Sequence, residues 1–255
     1  MVRRRGKVLS VNVDVVDMND AMAVLSSLIR ARRSAYVSLV TAHGVMDARR
    51  SREVEAAFNE ADLAVPDGMA VVWSLALAGY KGARRVYGPD LMSEACSRSV
   101  VSGWRHFFFG GDQGVPENLA SSLCRQHPGL SVAGCLSPPF GKWKHDDERR
   151  LIAAIEESDA DIVWVCLGSP RQEVWMRQNT HLLPRSVLIG VGAAFDFLTG
   201  RKPQAPRWIQ RAGMEWMFRL VTEPRRLWRR YSAYPLFAGL ALAQGLQQRL
   251  GLRNR

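Results

Sequence analysis

The sequence has only four cysteines, Cys96, Cys124, Cys135 and Cys166, and no CxxC pair among them. That argues against a zinc ribbon or a dithiol redox centre and fits reduced, partly buried thiols in a cytosolic protein. Long apolar runs are also lacking. None reaches the ~18 residues that a spanning helix needs; YPLFAGLALAQGL (234–246) is too short to cross a bilayer but could lie on one. The first residues, MVRRRGKVLSVNVDVV, lack the continuous apolar core of a signal peptide. No GxxxxGK[ST] occurs and no GxGxxG follows the first strand pattern, which demotes P-loop NTPases and NAD enzymes. There is no GxSxG elbow for a hydrolase. The histidines at 43, 106, 127, 145 and 181 show no metal-ligand spacing such as HExxH. Asp159 and Asp161 have the spacing of a DxD pair, yet they precede a strand and read as strand-start residues. Neither a metal nor a cofactor is expected.

Acidic residues are scarce in one region. Residues 201–255 hold 12 Lys/Arg and 2 Asp/Glu, a net of +10, whereas residues 1–200 hold 23 and 22, a net of +1. A tail of that charge implies an acidic partner: nucleic acid, a phosphorylated ligand or an anionic membrane surface.

The remainder has the composition of a soluble globule, 47% apolar and 23% charged. Short β-branched runs alternate with helical patterns. The strands are expected at 8–16 (a strand or hairpin arm), 35–41, 63–65, 104–112, 130–136, 161–170 and 186–198. Helices are expected at 21–33, 52–61, 69–79, 90–100, 115–127, 147–158 and 171–179. Nearly continuous apolar strands between helices imply an α/β fold, a Rossmann-like, mostly parallel sheet covered on both faces. After Gly200 the texture turns basic, Trp-rich and strandless. The expected division is an α/β domain over 1–200 and a basic helical appendage over 201–255.

In such sheets ligands bind beyond the carboxyl ends of the strands. Five strand ends carry suggestive residues: Thr41 with His43, Asp67 with Gly68, Gly110-Gly111-Asp112, Gly168-Ser169-Pro170, and Gly190-Val191-Gly192 followed by Asp196. Glycines there let backbone approach a ligand, and the N–H groups of the next helix suit phosphate. Asp67 lies in Pro-Asp-Gly, which is equally a good turn sequence. Cys166, in a buried apolar strand, reads as packing rather than as a nucleophile.

Taken in order, the blocks TAHGVMDARR (41–50), ADLAVPDGMAVVW (61–73), RRVYGPDLM (84–92) and FFFGGDQGVPENLA (107–120) resemble the WecG/TagA/CpsF family of bacterial glycosyltransferases. So do VCLGSPRQEVWM (165–176), VGAAFDFLTGRKPQAPRWIQRAGMEWMFRL (191–220) and TEPRRLWRRY (222–231). The resemblance implies a hexosyltransferase that moves a sugar from a UDP-sugar donor to a polyprenyl-diphosphate-linked sugar. The products would be exopolysaccharide or another cell-surface polysaccharide. It implies that Asp67 is the general base, with Thr41 beside it. His43 stands where many members have asparagine; as a neutral imidazole it can give or take one hydrogen bond, and beside Asp67 it could share the proton, or it is structural.

The resemblance further places Gly110, Gly111, Gly168, Gln172 and Asp196 around the donor nucleotide, the last on a ribose hydroxyl. It directs Arg85, Arg207, Arg219 and Arg226 to phosphate, while Asp90 can cap a helix. The appendage would cover the site and meet the membrane, so the enzyme is expected as a peripheral protein on the cytoplasmic face of the inner membrane, possibly as a homo-oligomer. Trp208, Trp216, Trp228, Tyr231 and Tyr234 suit a headgroup interface, or else pack the appendage on the core. The rival from another class is a nucleic-acid-binding protein that uses the basic tail. Its arginines, however, are interleaved with Trp, Leu and Pro, no nucleic-acid motif appears, and no nucleic-acid partner is expected.

Overall fold

The computed structural model describes residues 4–139, 141 and 143–249. Among these, eight strands form: β1 (Arg5–Val8), β2 (Val11–Asp14), β3 (Ala35–Val40), β4 (Leu63–Pro66), β5 (Arg105–Gly110), β6 (Ser131–Leu136), β7 (Ile162–Cys166) and β8 (Val187–Gly190). The last six make one sheet in the order β4-β3-β8-β7-β5-β6, every pair parallel. The α/β architecture expected from the alternating pattern is therefore present. β3, β4, β7 and β8 are buried on both faces or nearly so, which is why they read as unbroken apolar runs.

Each face of the sheet has its own core. Phe58, Phe109, Trp175 and Leu188 pack on one side, and Met22, Leu25, Phe108, Trp164 and Phe195 on the other. The second core contains a complete polar chain. Trp164 Nε1, which can only donate, bonds His106 Nδ1 at 2.9 Å; His106 Nε2 then lies 2.7 Å from Ser99 Oγ, which itself donates to the Ala95 carbonyl. His106 is thus the neutral Nε2–H tautomer, and burial lowers its pKa to about 4.

Three segments depart from the sequence pattern. The 8–16 run is the turn and second arm of the antiparallel hairpin β1–β2. The buried Asp14 carboxylate accepts from Arg5 Nε at 3.2 Å and from Ala64 N at 2.8 Å, tying the hairpin to β4. The strand 35–41 stops at Val40, and Thr41 caps a helix, Ala42–Ala48, by accepting from Gly44 N at 3.3 Å. The run 186–198 is a strand only to Gly190. There Gln172 Oε1 accepts from Gly192 N at 3.1 Å, Gly192 takes φ +52°, and the chain turns into the helix Ala194–Leu198.

The Asp159/Asp161 pair is structural. Asp161 accepts from Arg105 N at 2.9 Å and so starts β5 beside β7, while Asp159 faces Arg105 and Arg185. After β8 the described chain is helical: Arg207–Arg211, Glu215–Thr222, Pro224–Tyr231 and Tyr234–Arg249. The last helix is seated firmly. Phe237 and Ala241 join the same core as Val71 and Leu75, and the Gln244 side chain bonds both Leu9 N and Lys7 O.

Gly110 closes β5 at φ +112°, and a Cβ there would sit 2.3 Å from the Cys166 carbonyl oxygen. Both the backbone angle and the contact exclude a side chain. Gly110→Ala should lower the unfolding free energy by roughly 3 kcal/mol or more, read from urea denaturation.

Candidate active site

A polar cavity of about 250 Å³ opens at the carboxyl ends of four adjacent strands, β4, β3, β8 and β7. Eight residues singled out from the sequence stand on its wall: Thr41, His43, Asp67, Gly168, Gln172, Asp196, Arg219 and Arg226. They come from distant parts of the chain, and the sheet order brings them together. Among the described residues no cluster of three or more His, Cys, Asp or Glu side chains is gathered in metal-binding fashion.

Asp67 follows β4 directly and precedes Gly68, the N-cap of the helix Met69–Leu77. Its backbone N–H continues the ladder to the Val40 carbonyl at 3.0 Å, so the residue is held as firmly as the strand. Its carboxylate has one long bond, from Gly88 N at 3.4 Å. Burial pushes the carboxyl up to about 6, with Arg85 pulling it down and Glu215 pushing it up. A carboxyl of that strength is ionised at neutral pH and still a useful proton acceptor.

His43 lies beside it on the first turn of the helix Ala42–Ala48, with Nδ1 3.0 Å from Thr41 Oγ. Burial, then the charges of Arg230 and Arg219, lower its pKa to about 3. The imidazole is neutral, and no hydrogen bond joins it to Asp67, so the expected proton sharing has no geometric basis. Its partner is the Thr41 hydroxyl.

The opposite wall is built by the helix Arg171–Asn179. Gln172 bridges the end of β8, through Gly192 N, and Glu173 Oε1, to which its Nε2 donates at 3.0 Å. Glu173 is fully buried, and its Oε2 has no partner. Burial pushes this carboxyl up to about 7. Asp196 is ion-paired with Lys202 at the cavity rim. Gly168, at φ +76°, leaves open space where a side chain would stand.

The C-terminal helices roof the cavity. Arg219 reaches it with no ion pair among the described residues; its Nε is buried without a partner, and its guanidinium lies 5.3 Å from the Phe197 ring centroid. Arg226 is paired with Glu223 at 2.6 Å. Arg230, one helical turn further, donates to the Ser169 carbonyl at 2.9 Å and latches the roof to the end of β7.

Four of the expected residues are elsewhere. Gly110 and Gly111 belong to the β5–β7 contact, where Gly111 N donates to Cys166 O at 2.9 Å, and they do not line the cavity. Arg85 is turned away from the cavity: its Nε donates to the Asp67 carbonyl at 2.5 Å and its Nη2 binds Glu215 at 2.5 Å. Arg207 forms a two-pronged pair with Asp90, 2.8 and 2.9 Å, on an exposed face, so Asp90 holds this arginine. Neither arginine is free to fork onto a phosphate in this arrangement. The sequence reading passed over Glu173, Lys202, Glu215 and Arg230. Only Arg230 carried a signal, its i,i+4 spacing from Arg226.

On its other side Asp67 lines a narrow space of about 110 Å³ with Arg85, Glu215, Trp216, Tyr231 and Tyr234. Trp73, Trp216, Tyr231 and Tyr234 also wall an apolar trough of about 590 Å³, bounded further by Leu77, Leu220, Phe237 and Leu242. The tail aromatics divide accordingly. Trp208 and Trp228 are 66% and 65% exposed, whereas Tyr231 and Tyr234 pack edge to face, with ring centroids 4.8 Å apart, beside Trp216. No helix among the described residues is long and apolar enough to cross a membrane.

Comparison with known proteins matches residues 6–251 to the Glycosyl transferase WecG/TagA/CpsF family. Two curated relatives carry the name N-acetylglucosaminyldiphosphoundecaprenol N-acetyl-beta-D-mannosaminyltransferase. The one from Bacillus spizizenii is 32% identical over 196 residues, 77% of this chain and 74% of its own. The one from Bacillus subtilis is 29% identical over 204 residues, 80% of this chain and 77% of its own.

The buried Glu173 yields a stability prediction. Its folded pKa, about 7, lies above the unfolded value of 4.5, so the folded state holds the extra proton between them. Stability from this group is full below pH 4.5 and is lost as pH rises through 7. Between pH 5 and pH 8 Glu173→Gln should therefore gain on the parent by about 3 kcal/mol, measured by urea denaturation at each pH.

Proposed function

Because the chain belongs to the WecG/TagA/CpsF family of glycosyltransferases and is a hexosyltransferase by kinship, we propose that it transfers a hexose or N-acetylhexosamine from a UDP-sugar to a polyprenyl-diphosphate-linked sugar, with inversion. The observation that carries this reading is the position of Asp67. It lines a polar cavity that Arg219, Arg226 and Arg230 also line and, on its other side, a narrow space that shares Trp73, Trp216, Tyr231 and Tyr234 with the apolar trough. A donor that is an anionic nucleotide sugar suits the cavity, and the lipid of an acceptor suits the trough. The relatives named above act, by their names, on a diphosphoundecaprenol-linked sugar.

The step follows from that placement. Asp67 takes the proton of the acceptor hydroxyl as its oxygen attacks the anomeric carbon; the bond from that carbon to the β-phosphate oxygen breaks on the far side, and UDP leaves. The product carboxylic acid returns its proton to solvent. General-base assistance of this kind is worth roughly 10²–10⁴-fold in rate. Negative charge grows on the leaving diphosphate, and Arg219, with Arg226 and Arg230 beside it, is placed to receive it. In this reading the arginines fill the role of a cation, so the reaction runs without a metal. Thr41 and His43 hold the approach to the base, and Gln172, Gly168 and Asp196 the nucleotide.

The same reading makes residues 201–255 a cover for the site and its contact with the membrane. Trp228 and Leu242 line the trough, and Trp208, Val221, Leu236 and Leu246 are exposed apolar side chains on the C-terminal helices. Arginines and indoles together suit an anionic headgroup layer, and the enzyme would work as a peripheral protein at the cytoplasmic face of the inner membrane. Exopolysaccharide or another surface polysaccharide is the product. The nucleic-acid reading of the tail is disfavoured because Arg207 and Arg226 are ion-paired and Arg219 and Arg230 turn inward.

Asp67→Asn should lower kcat by roughly 10²–10⁴-fold while UDP-sugar affinity, by calorimetry, is retained; normal turnover would refute the base. In the parent, log kcat/KM should fall with unit slope below a pH of about 6, as the carboxyl protonates. Transfer should persist in EDTA, and the full chain should sediment with anionic vesicles more than with neutral ones.

A further inference from the structure

We propose that Glu215 is a positioning residue: it draws the Arg85 guanidinium away from the Asp67 carboxylate, so that seating the helix Glu215–Thr222 leaves the base without an ion-pair partner. The proposal rests on the reading of Asp67 as base.

The geometry has four parts. Arg85 Nε bonds the backbone carbonyl of Asp67, placing the guanidinium within a residue's breadth of the carboxylate. Its Nη2 is nonetheless on Glu215 Oε2 at 2.5 Å, and its face lies 4.0 Å from the Tyr87 ring centroid. The second Glu215 oxygen accepts from Tyr87 Oη at 3.2 Å, and Gln204 Nε2 donates to that same hydroxyl at 3.2 Å. Glu215 and Arg85 expose only 13% and 16% of their side chains, so water screens the pair weakly. The Asp67 carboxylate, meanwhile, has no salt bridge among the described residues and only the 3.4 Å bond from Gly88 N. Glu215 and Gln204 are both tail residues, and Arg85 and Tyr87 belong to the core. The contact that diverts Arg85 exists only while the tail is seated.

Removing Glu215 acts on Asp67 twice in one direction. Its own negative charge is lost, and the released Nη2 is left to Asp67, already the charge that acts most strongly on Arg85. An opposite charge at that range lowers a carboxylate's proton affinity by about 1–3 pH units. Of the other groups around Asp67, Arg219 also favours its ionised form and is unchanged by the substitution. His43 is neutral, with its pKa near 3, and Tyr231 and Tyr234 are held protonated by burial.

The test is the titration of the Asp67 carboxyl, followed by carbon NMR in aspartate-labelled protein and assigned with Asp67→Asn. The parent midpoint is expected near 6. Glu215→Gln should move it down by about 1–3 pH units, Glu215→Asp should restore most of the shift, and Arg85→Gln should move it up. The double variant R85Q/E215Q should lie above E215Q alone. With UDP-N-acetylmannosamine and a polyprenyl-diphosphate-N-acetylglucosamine acceptor, the acid limb of kcat/KM should track the same order. An E215Q midpoint equal to or above the parent's, or E215Q and R85Q moving together, would overturn the proposal. If D67N turns over normally, the base reading itself has failed; if D67N is inactive and the midpoints do not diverge, only the role of Glu215 has.

Discussion

Everything at this site depends on keeping one half-buried carboxylate out of an ion pair. Asp67 is fixed by the ladder between β3 and β4, capped weakly by Gly88, and faced by aromatic rings together with Arg85, Glu215 and Arg219. A buried carboxylate normally recruits a cation, and Arg85 is within reach. The arginine is engaged twice elsewhere, by the Asp67 carbonyl and by Glu215. The side chain is left ionisable near neutrality, which is the useful range for a base.

The second requirement is a roof. The α/β sheet supplies strand ends and glycine-lined backbone, and the C-terminal helices supply Glu215, Trp216, Arg219, Tyr231 and Tyr234 on the other side of Asp67. They close the site from two directions: Arg230 latches onto the end of β7, and Glu215 onto the loop before Gly88. Between these latches Arg219 is left without a partner inside the polar cavity. Half-buried, with a buried Nε that has no hydrogen-bond partner, this guanidinium has capacity left for an anionic ligand. The departing diphosphate of the proposed donor is such a ligand. The same helices carry exposed apolar side chains, so in the proposed reading the surface offered to lipid also helps to build the site.

The fold was legible in the sequence wherever burial dictates composition. Apolar strands read plainly, and strand-end residues such as Thr41, Asp67 and Gly168 stood out because glycine and polar side chains interrupt those runs; Gln172 came only with the family resemblance. Legibility failed where one apolar run serves two structures. In 186–198 the strand and the following helix are equally apolar, and the break depends on a tertiary bond from Gly192 to Gln172. It failed again at Thr41–Ala48, a short helix holding a glycine, and for side chains whose direction is set by distant partners. Arg85 and Arg207 belong to recognisable blocks, yet Glu215 and Asp90 decide where they point. Lys202 and Glu173 look ordinary in the sequence; only the folded cavity shows one pairing Asp196 and the other buried with a free oxygen.

In the proposed reading, a single base beside an anionic leaving group implies one displacement at the anomeric carbon. The direct measurement is the anomeric configuration of the transferred sugar, read by NMR from carbon–proton coupling in product made from an anomerically defined donor. The account predicts an inverted centre. A retained centre would require a covalent or front-face path that Asp67 as base cannot provide, and would contradict it.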